Sequence, residues 1–132
     1  RAQFGLPETL MGLIPAVVFP YLVRRIGFAK ARLLALGGKP LCAAEALRLG
    51  LVDDVVDDFT SPLNRLVRRF AKMDQRAIGA IKSLSTKHFA TPAGYQAEAA
   101  SVFMELLGSA QTQTRMRRFL DGEVPWSDSA HG

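Results

Sequence analysis

The sequence predicts an α/β fold in which short strands and helices are followed by a mostly helical C-terminal part. Residues 1–5 alternate weakly between polar and apolar side chains, which predicts the end of a strand. Residues 51–56 contain three valines, and this β-branched content favours a second strand directly after a glycine. Ser61 and Thr91 each precede a proline, a pairing of capping hydroxyl and first-turn proline that starts many helices. We therefore expect long helices at 62–74, 76–88 and 92–107, and a shorter one at 112–120.

Glycines divide the N-terminal part into short helices. Apolar residues across 20–36 recur at helical spacing with Gly27 between them, which predicts two short helices ended by the glycine pair at 37–38. Residues 43–49 predict a third brief helix, which Gly50 would end. The expected order before the C-terminal part is therefore strand, three short helices and strand.

The composition indicates a globular protein. Of the 132 residues, 48% are hydrophobic and 22% are charged, which suits one compact domain with a buried core. The longest uncharged stretch, 9–23, is short for a membrane span and contains two prolines, so we expect no transmembrane segment. The single cysteine, Cys42, excludes an internal disulfide and is too few for a thiolate zinc site. It favours a packing role in a reducing, cytoplasmic compartment.

The formal net charge of +5 favours anionic partners. In the predicted helix at 62–74, one face carries an apolar stripe of Leu63, Leu66, Val67 and Phe70. The basic residues that recur at helical spacing on the opposite side form a basic ridge of Arg65, Arg68, Arg69, Lys72 and Arg76. This ridge is either an ordinary solvated face or a docking surface for an acidic protein or a phosphate-bearing ligand. We do not expect nucleic acid, because no aromatic residues are interleaved with the basic ones and no recognised binding motif accompanies them.

Glu8 stands between two prolines and two glycines in an otherwise apolar segment. Pro7 fixes its own backbone and pushes Leu6 toward an extended conformation, while the glycines permit sharp bends. One interpretation is a solvated loop carboxylate, since glutamate is rarely buried unless it is paired. The other is a carboxylate on a constrained turn with apolar walls, an environment suited to proton transfer.

Neither histidine is predicted to be catalytic. His88 would end an apolar stripe at a helix C-terminus, where the helix dipole favours it. His131 lies in a polar tail that we expect to be frayed. Clusters of metal ligands and dinucleotide-binding glycine patterns are absent from the sequence, so no metal or redox cofactor is implied.

An ordered series of short motifs closely resembles the second half of the crotonase superfamily, the enoyl-CoA hydratase and isomerase family. The series consists of Ala2-Gln-Phe-Gly-Leu-Pro-Glu8, Gly12-Leu-Ile-Pro15, Leu22-Val-Arg-Arg-Ile-Gly27, Lys30-Ala31, Ala44-Glu-Ala46 and Gly50-Leu-Val52. The likeness continues to Phe119-Leu120 and covers nearly the whole chain. It implies the last part of a ββα spiral core over residues 1–58, followed by a helical oligomerisation region over 59–132.

The resemblance implies chemistry on an acyl thioester. Enzymes of this family stabilise an enolate in an oxyanion hole, and carboxylates move protons at the neighbouring carbons. Glu8 matches the second of the two family glutamates, so it would be catalytic. Met11, Phe19 and Tyr21 would form walls of the acyl pocket, and Phe103 would contact the adenine or pantetheine of coenzyme A. The substrate would be carried by coenzyme A or an acyl carrier protein, and no further cofactor would be needed.

Two departures from the family pattern bear on the substrate. Hydratases usually have a glycine-rich segment after the Ile-Pro pair, whereas this chain has the bulkier segment Ala16-Val-Val-Phe-Pro-Tyr21. This variant resembles the branch that decarboxylates or isomerises carrier-bound intermediates in polyketide β-branching. The lysine that accompanies the family aromatic at Phe103 falls at Gly122 here, which would weaken the grip on coenzyme A and favour a carrier protein.

The resemblance also implies that essential parts of the site lie outside this sequence. The family's oxyanion hole and first catalytic glutamate would precede Arg1, and with no starting methionine or signal peptide pattern we expect the chain to begin within a domain. Alone it would be inactive and poorly stable, while the whole protein would form a trimer or hexamer. The alternative from another class is a non-catalytic binding or assembly module.

Overall fold

The computed structural model describes residues 2–123. Its first part contains two short strands, a 3₁₀ turn at Pro7–Thr9 and three helices, and its second part contains four helices. In chain order these are β1 (Gln3–Phe4), α1 (Phe19–Ile26), α2 (Phe28–Gly37), β2 (Leu41–Cys42), α3 (Ala43–Leu49), α4 (Thr60–Ala71), α5 (Gln75–His88), α6 (Tyr95–Gly108) and α7 (Ala110–Leu120).

The two strands form a small antiparallel sheet. Gln3 pairs with Cys42 and Phe4 with Leu41, which confirms a strand within residues 1–5. Short apolar helices pack beside it, and Gly27 separates α1 from α2 as predicted, with a φ of 82° that a glycine adopts without strain. Gly50, at a φ of 81°, ends α3 as expected.

The predicted strand at residues 51–56 is wrong, because the chain bends at residues 51–53 and has no regular structure at 54–56. The Leu51 and Val52 amides donate hydrogen bonds to the carbonyl of Ala46, at 2.8 and 3.5 Å, and so cap helix α3. The amide of Val55 donates to Asp54 Oδ1 at 2.8 Å. These local hydrogen bonds use backbone amides that would otherwise pair with a neighbouring strand. The β-branched residues therefore do not form a strand here.

The four C-terminal helices exist as predicted, but the caps proposed for two of them are wrong. Ser61 lies inside α4, because the helix begins at Thr60, two residues before the predicted start, where Asp58 Oδ1 accepts the Thr60 amide at 3.1 Å. This backbone hydrogen bond also lowers the pKa of Asp58. Thr91 does not cap α6, because Gly94 adopts a φ of 86° and the helix starts only after it.

Side chains that were not singled out from the sequence cap two other helices. Asp74 caps α5 by accepting the Ala77 amide at 2.9 Å. Ser109 caps α7 by accepting the Thr112 amide at 3.2 Å. His88 is the last residue of α5, in agreement with the prediction of a histidine at a helix C-terminus. His131 lies outside the described residues.

The hydrophobic core lies where α1 and α2 meet the start of the 3₁₀ turn. Its buried members are Leu6, Ile26, Ala31, Leu34 and Ala35, and the partly buried side chains packed on them are Phe19, Leu22, Val23, Leu41 and Leu51. Leu6, two residues before Glu8, is one of these buried side chains. Its packing against α1 and α2 therefore fixes the backbone that leads into Glu8.

Contacts group the chain into two compact units: Arg1–Asp53 with Ala93–Gly132, and Asp54–Pro92. In the second unit every residue is half-buried or exposed, including the apolar stripe of α4. The division of the chain at residue 58 that the sequence suggests stays a prediction. Within residues 2–123, none of the helices combines the length and apolar character that crossing a membrane requires.

Candidate active site

Glu8 lies in the 3₁₀ turn at Pro7–Thr9, and the sequence dictates this geometry. Leu6 precedes a proline and is extended, with φ and ψ of −123° and 83°. Pro7 occupies the first position of the turn, and its carbonyl accepts the Leu10 amide at 3.0 Å. Leu6 is itself buried in the core. Glu8 therefore follows a residue fixed by packing and one fixed by its own ring.

The segment after Glu8 folds back onto the glutamate's own backbone. The Glu8 carbonyl accepts the amide of Met11 at 3.1 Å and that of Leu13 at 2.8 Å. The amide of Gly12 donates to the Thr9 carbonyl at 3.2 Å. We call residues 8–13 the Glu8 turn. Its backbone groups are tied to one another, so displacement of one part displaces the rest.

Helix α2 holds the Glu8 turn on one side. Thr9 Oγ1 donates to the carbonyl of Ala35 at 3.0 Å, a bond between residues 26 apart in sequence. Leu10 packs so closely on Gly38 that a Cβ there would meet Leu10 Cγ at 2.8 Å. Gly38 has a φ of 57°, so both the space and the backbone conformation require a glycine.

Helix α7 holds the Glu8 turn on another side. Thr112 Oγ1 donates to the carbonyl of Gly12 at 3.2 Å. Gly12 has a φ of 83°, and a Cβ there would stand 2.6 Å from Thr112 Oγ1. The close approach of the Thr112 side chain to the Gly12 backbone therefore depends on this glycine.

The carboxylate of Glu8 has an unusual environment. Its Oε2 is buried and has no hydrogen-bond partner among residues 2–123. Buried polar atoms are almost always paired, so an unpaired one is a reason to look for a function. An unengaged carboxylate oxygen can accept a proton or return one to a bound molecule. Glu8 thus lies on a constrained turn with one carboxylate oxygen buried, and its catalytic role stays a prediction.

The other four predicted site residues lie at different places in the fold. Met11 is half-buried in the Glu8 turn itself. Phe19 is the first residue of α1 and packs against the core. Tyr21 is 59% exposed on α1, and the Arg24 guanidinium carbon lies 4.6 Å from the centre of its ring. Phe103 is half-buried on α6.

The sequence interpretation missed two threonines that hold the Glu8 turn. Nothing local distinguishes Thr9 or Thr112, because each acts on a carbonyl far away in sequence. A signal existed only for Ser109, whose position before a polar helical segment is typical of an N-cap. Among the described residues, no group of three or more His, Cys, Asp or Glu side chains could hold a metal ion.

Nearly the whole chain matches one known protein family. The model of the Enoyl-CoA hydratase/isomerase family matches residues 1–128. The chain belongs to this family, the crotonase superfamily. The family resemblance drawn from the motifs around Glu8 is thereby confirmed.

Two curated crotonase relatives illustrate the likeness. The chain is 30% identical over 128 residues to the bacillaene synthase dehydratase PksH of Bacillus subtilis, covering 96% of this chain and 49% of that protein. It is 34% identical over 115 residues to a Mycobacterium tuberculosis protein named "Probable enoyl-CoA hydratase EchA17", covering 84% of this chain and 44% of that protein. The chain thus spans about half the length of the curated relatives it matches.

Solved structures confirm the crotonase fold. The crystal structure of Bacillus subtilis PksH superposes with a TM-score of 0.80 at 30% identity, covering 94% of this chain and 50% of that one. Carnitinyl-CoA hydratase from Mycobacterium avium also gives a TM-score of 0.80, at 27% identity, covering 96% of this chain and 51% of that one. The mostly helical structure described above is therefore part of an α/β fold.

Proposed function

We propose that this chain supplies the Glu8 part of an acyl-thioester active site, in which the Glu8 carboxylate moves a proton on the substrate. The observation that carries the proposal is the buried, unpartnered Oε2 on a turn held from two sides. Membership of the enoyl-CoA hydratase/isomerase family supports it. So does the match of Glu8 to the second catalytic glutamate of the family.

The proposed chemistry is proton transfer beside a thioester carbonyl. As a base, the ionised Glu8 carboxylate takes a proton from a carbon or from water, and as an acid the neutral carboxyl returns it. Charge that develops on the thioester oxygen needs amide donors aimed at it. The resemblance assigns those donors to a part of the fold that would precede Arg1. We therefore propose that the chain alone is inactive, and that the proposed reaction needs no cofactor beyond the substrate's carrier.

The reaction we favour is hydration or dehydration of an enoyl thioester in the cytoplasm. The names of two relatives, "Bacillaene synthase dehydratase PksH" and "Probable enoyl-CoA hydratase EchA17", support this choice. Isomerisation or decarboxylation uses the same enolate and stays the alternative, because one scaffold can host several reactions. We propose Met11, Phe19 and Tyr21 as walls of the acyl pocket, and Phe103 as a contact for the substrate's carrier.

We further propose that the carrier is an acyl carrier protein, which the basic ridge would bind. In the structure Arg65, Arg68 and Arg69 of this ridge lie on α4, Lys72 follows that helix and Arg76 lies on α5, so the ridge does not continue along one helix as the sequence predicted. All five side chains of the ridge are exposed, which suits attraction of an acidic protein. The likeness to PksH, a protein of bacillaene synthase, agrees with a tethered substrate. The apolar stripe of α4 is also exposed, and we propose that it contributes to a homotrimer or hexamer.

Substitution Glu8→Gln tests the catalytic role. We would make it in the natural polypeptide that carries this sequence, at full length, and follow hydration of crotonyl-CoA. Removing a general acid or base should lower kcat about 100-fold or more. Glu105→Gln is the matched control, because Glu105 is an exposed glutamate on α6. Equal activity of the two variants would overturn the proposal.

A complementation experiment addresses the non-catalytic alternative. The chain would be assayed alone and after mixing with a separately made N-terminal half of the crotonase fold. Activity only in the mixture supports a divided active site. Inactivity of both samples, together with tight binding of an acyl carrier protein, would instead favour a binding module.

Charge reversal tests the carrier. The double substitution Arg68→Glu and Arg69→Glu should lower kcat/KM for a carrier-bound substrate about tenfold or more and leave hydration of crotonyl-CoA unchanged, because the two arginines lie outside the core. An equal loss with both substrates would show that the ridge serves the coenzyme A phosphates. No loss with either would show that it is a solvated face.

A further inference from the structure

We infer that Thr112 is a positioning residue for Glu8, an inference that rests on the proposed function of that carboxylate. Thr112 lies on α7, 100 residues from the turn that it contacts. Its side chain is polar and yet the residue is only 2% exposed. A buried hydroxyl is normally hydrogen-bonded, so the hydrogen-bond partners of Thr112 indicate its role.

The direction of the hydrogen bonds at Thr112 follows from the chemistry of the partners. The Gly12 carbonyl can only accept a hydrogen bond, so the Thr112 hydroxyl donates its single proton to that carbonyl, at 3.2 Å. Ser109 Oγ must then donate to Thr112 Oγ1, at 2.9 Å. Ser109 also accepts the Thr112 amide at 3.2 Å. The cap of α7 therefore directs the Thr112 proton toward the Glu8 turn.

A displacement of Gly12 would be transmitted to Glu8 through short backbone bonds. Gly12 donates to the Thr9 carbonyl, and its neighbours Met11 and Leu13 both donate to the Glu8 carbonyl. Thr112 touches the turn at the end opposite Glu8, so it would set the backbone from which the carboxylate projects. It does not need to contact the substrate. Thr9 fixes the turn to α2, whereas Thr112 fixes it to α7.

The experiment compares Thr112→Val with Thr114→Val in the full-length natural polypeptide. Valine keeps the shape of threonine and removes the hydroxyl. Thr114 is the matched control, because it lies on the same helix, is exposed, and donates its hydroxyl to the Ala110 carbonyl one turn earlier, at 2.9 Å. We expect Thr112→Val to lower kcat for crotonyl-CoA about 10- to 100-fold with little change in KM, since a misplaced catalytic group slows the reaction itself. Thr112→Ser should retain kcat.

A double substitution separates positioning from a general loss of structure. If Thr112 acts through Glu8, adding Thr112→Val to Glu8→Gln should lower the residual kcat by less than about twofold. A further 10-fold loss in that background would overturn the inference, as would equal kcat for Thr112→Val and Thr114→Val. If the valine variant does not fold, Thr112→Ala is compared with Thr112→Ser, since the two differ only in the hydroxyl oxygen.

These outcomes distinguish the inference from the function on which it rests. Full activity of Glu8→Gln would overturn the proposed function. An inactive Glu8→Gln variant beside a fully active Thr112→Val variant would overturn only the role of Thr112.

Discussion

The Glu8 turn and helix α4 represent two ways in which this chain holds a segment in shape. The turn depends on bonds to residues 26 and 100 positions away, and on two glycines that allow close packing. Helix α4 depends on its own backbone bonds, and its apolar stripe and the three ridge arginines that it carries, Arg65, Arg68 and Arg69, are exposed. The comparison teaches that a segment with tertiary anchors can fix a reactive group, whereas a self-supporting helix offers a surface.

The largest expected effect tests whether the two regions really differ in burial. Leu34 is 8% exposed in the core beside the turn, and Leu66 is 50% exposed on α4. Leu34→Ala should destabilise the protein by about 2–5 kcal/mol, because it leaves a cavity. Leu66→Ala should cost less than about 1 kcal/mol when the protein is dilute enough to be monomeric. The measurement is the midpoint of denaturant unfolding for each variant.

Equal costs for Leu34→Ala and Leu66→Ala would break this comparison. They would mean that α4 is packed in the monomer as well, whereas a Leu66→Ala cost that appears only at higher protein concentration would support the proposed contact of α4 with a second copy.

The next effect uses one substitution at two glycines, Gly12 in the Glu8 turn and Gly79 in α5, the exposed helix after α4. Its sign should differ between the two positions. Gly12→Ala places a Cβ against Thr112 at a positive φ and should destabilise by about 1–3 kcal/mol. Gly79→Ala, inside α5 with open space around it, should stabilise by about 0.5–1 kcal/mol. Thermal melts of both variants check the signs. Stabilisation by Gly12→Ala would contradict the tight packing of the Glu8 turn on α7.

The smallest effect concerns pH and the segment that follows the turn. Tyr95 on α6 donates its phenol hydrogen to the Ala16 carbonyl at 3.1 Å. Burial, helped by the nearby Glu98 carboxylate, raises the pKa of Tyr95 above its ordinary value of 10.0. The folded state therefore holds the proton more tightly, so this stabilisation is complete below pH 10 and is lost as the pH rises through the raised pKa.

Tyr95→Phe checks that sign. At neutral pH the variant should be less stable by about 0.5–1.5 kcal/mol, the typical net value of one hydrogen bond. The difference between the variant and the natural protein should shrink above pH 10. Melting curves from pH 7 upward measure it, and a difference that stays constant through pH 11 would contradict the role assigned to the phenol.

Much of the local structure could be predicted from the sequence. Gly27 and Gly50 mark where helices end because they adopt backbone conformations that other residues avoid. Pro7 predicted the constrained turn at Glu8 because its ring fixes its own φ angle. The failures were the strand at residues 51–56 and the caps at Ser61 and Thr91, where competing local hydrogen bonds or a glycine at positive φ decided the backbone.

The sequence by itself determined the helices of this crotonase-family chain and the identity of its candidate carboxylate, because backbone preference and motif order are local properties. Only the tertiary structure decided that one oxygen of Glu8 is buried without a partner and that Thr9 and Thr112 hold its turn. Those facts depend on which distant groups the folded chain brings within hydrogen-bond distance. A spacing of 26 or 100 residues leaves no periodic trace in the sequence.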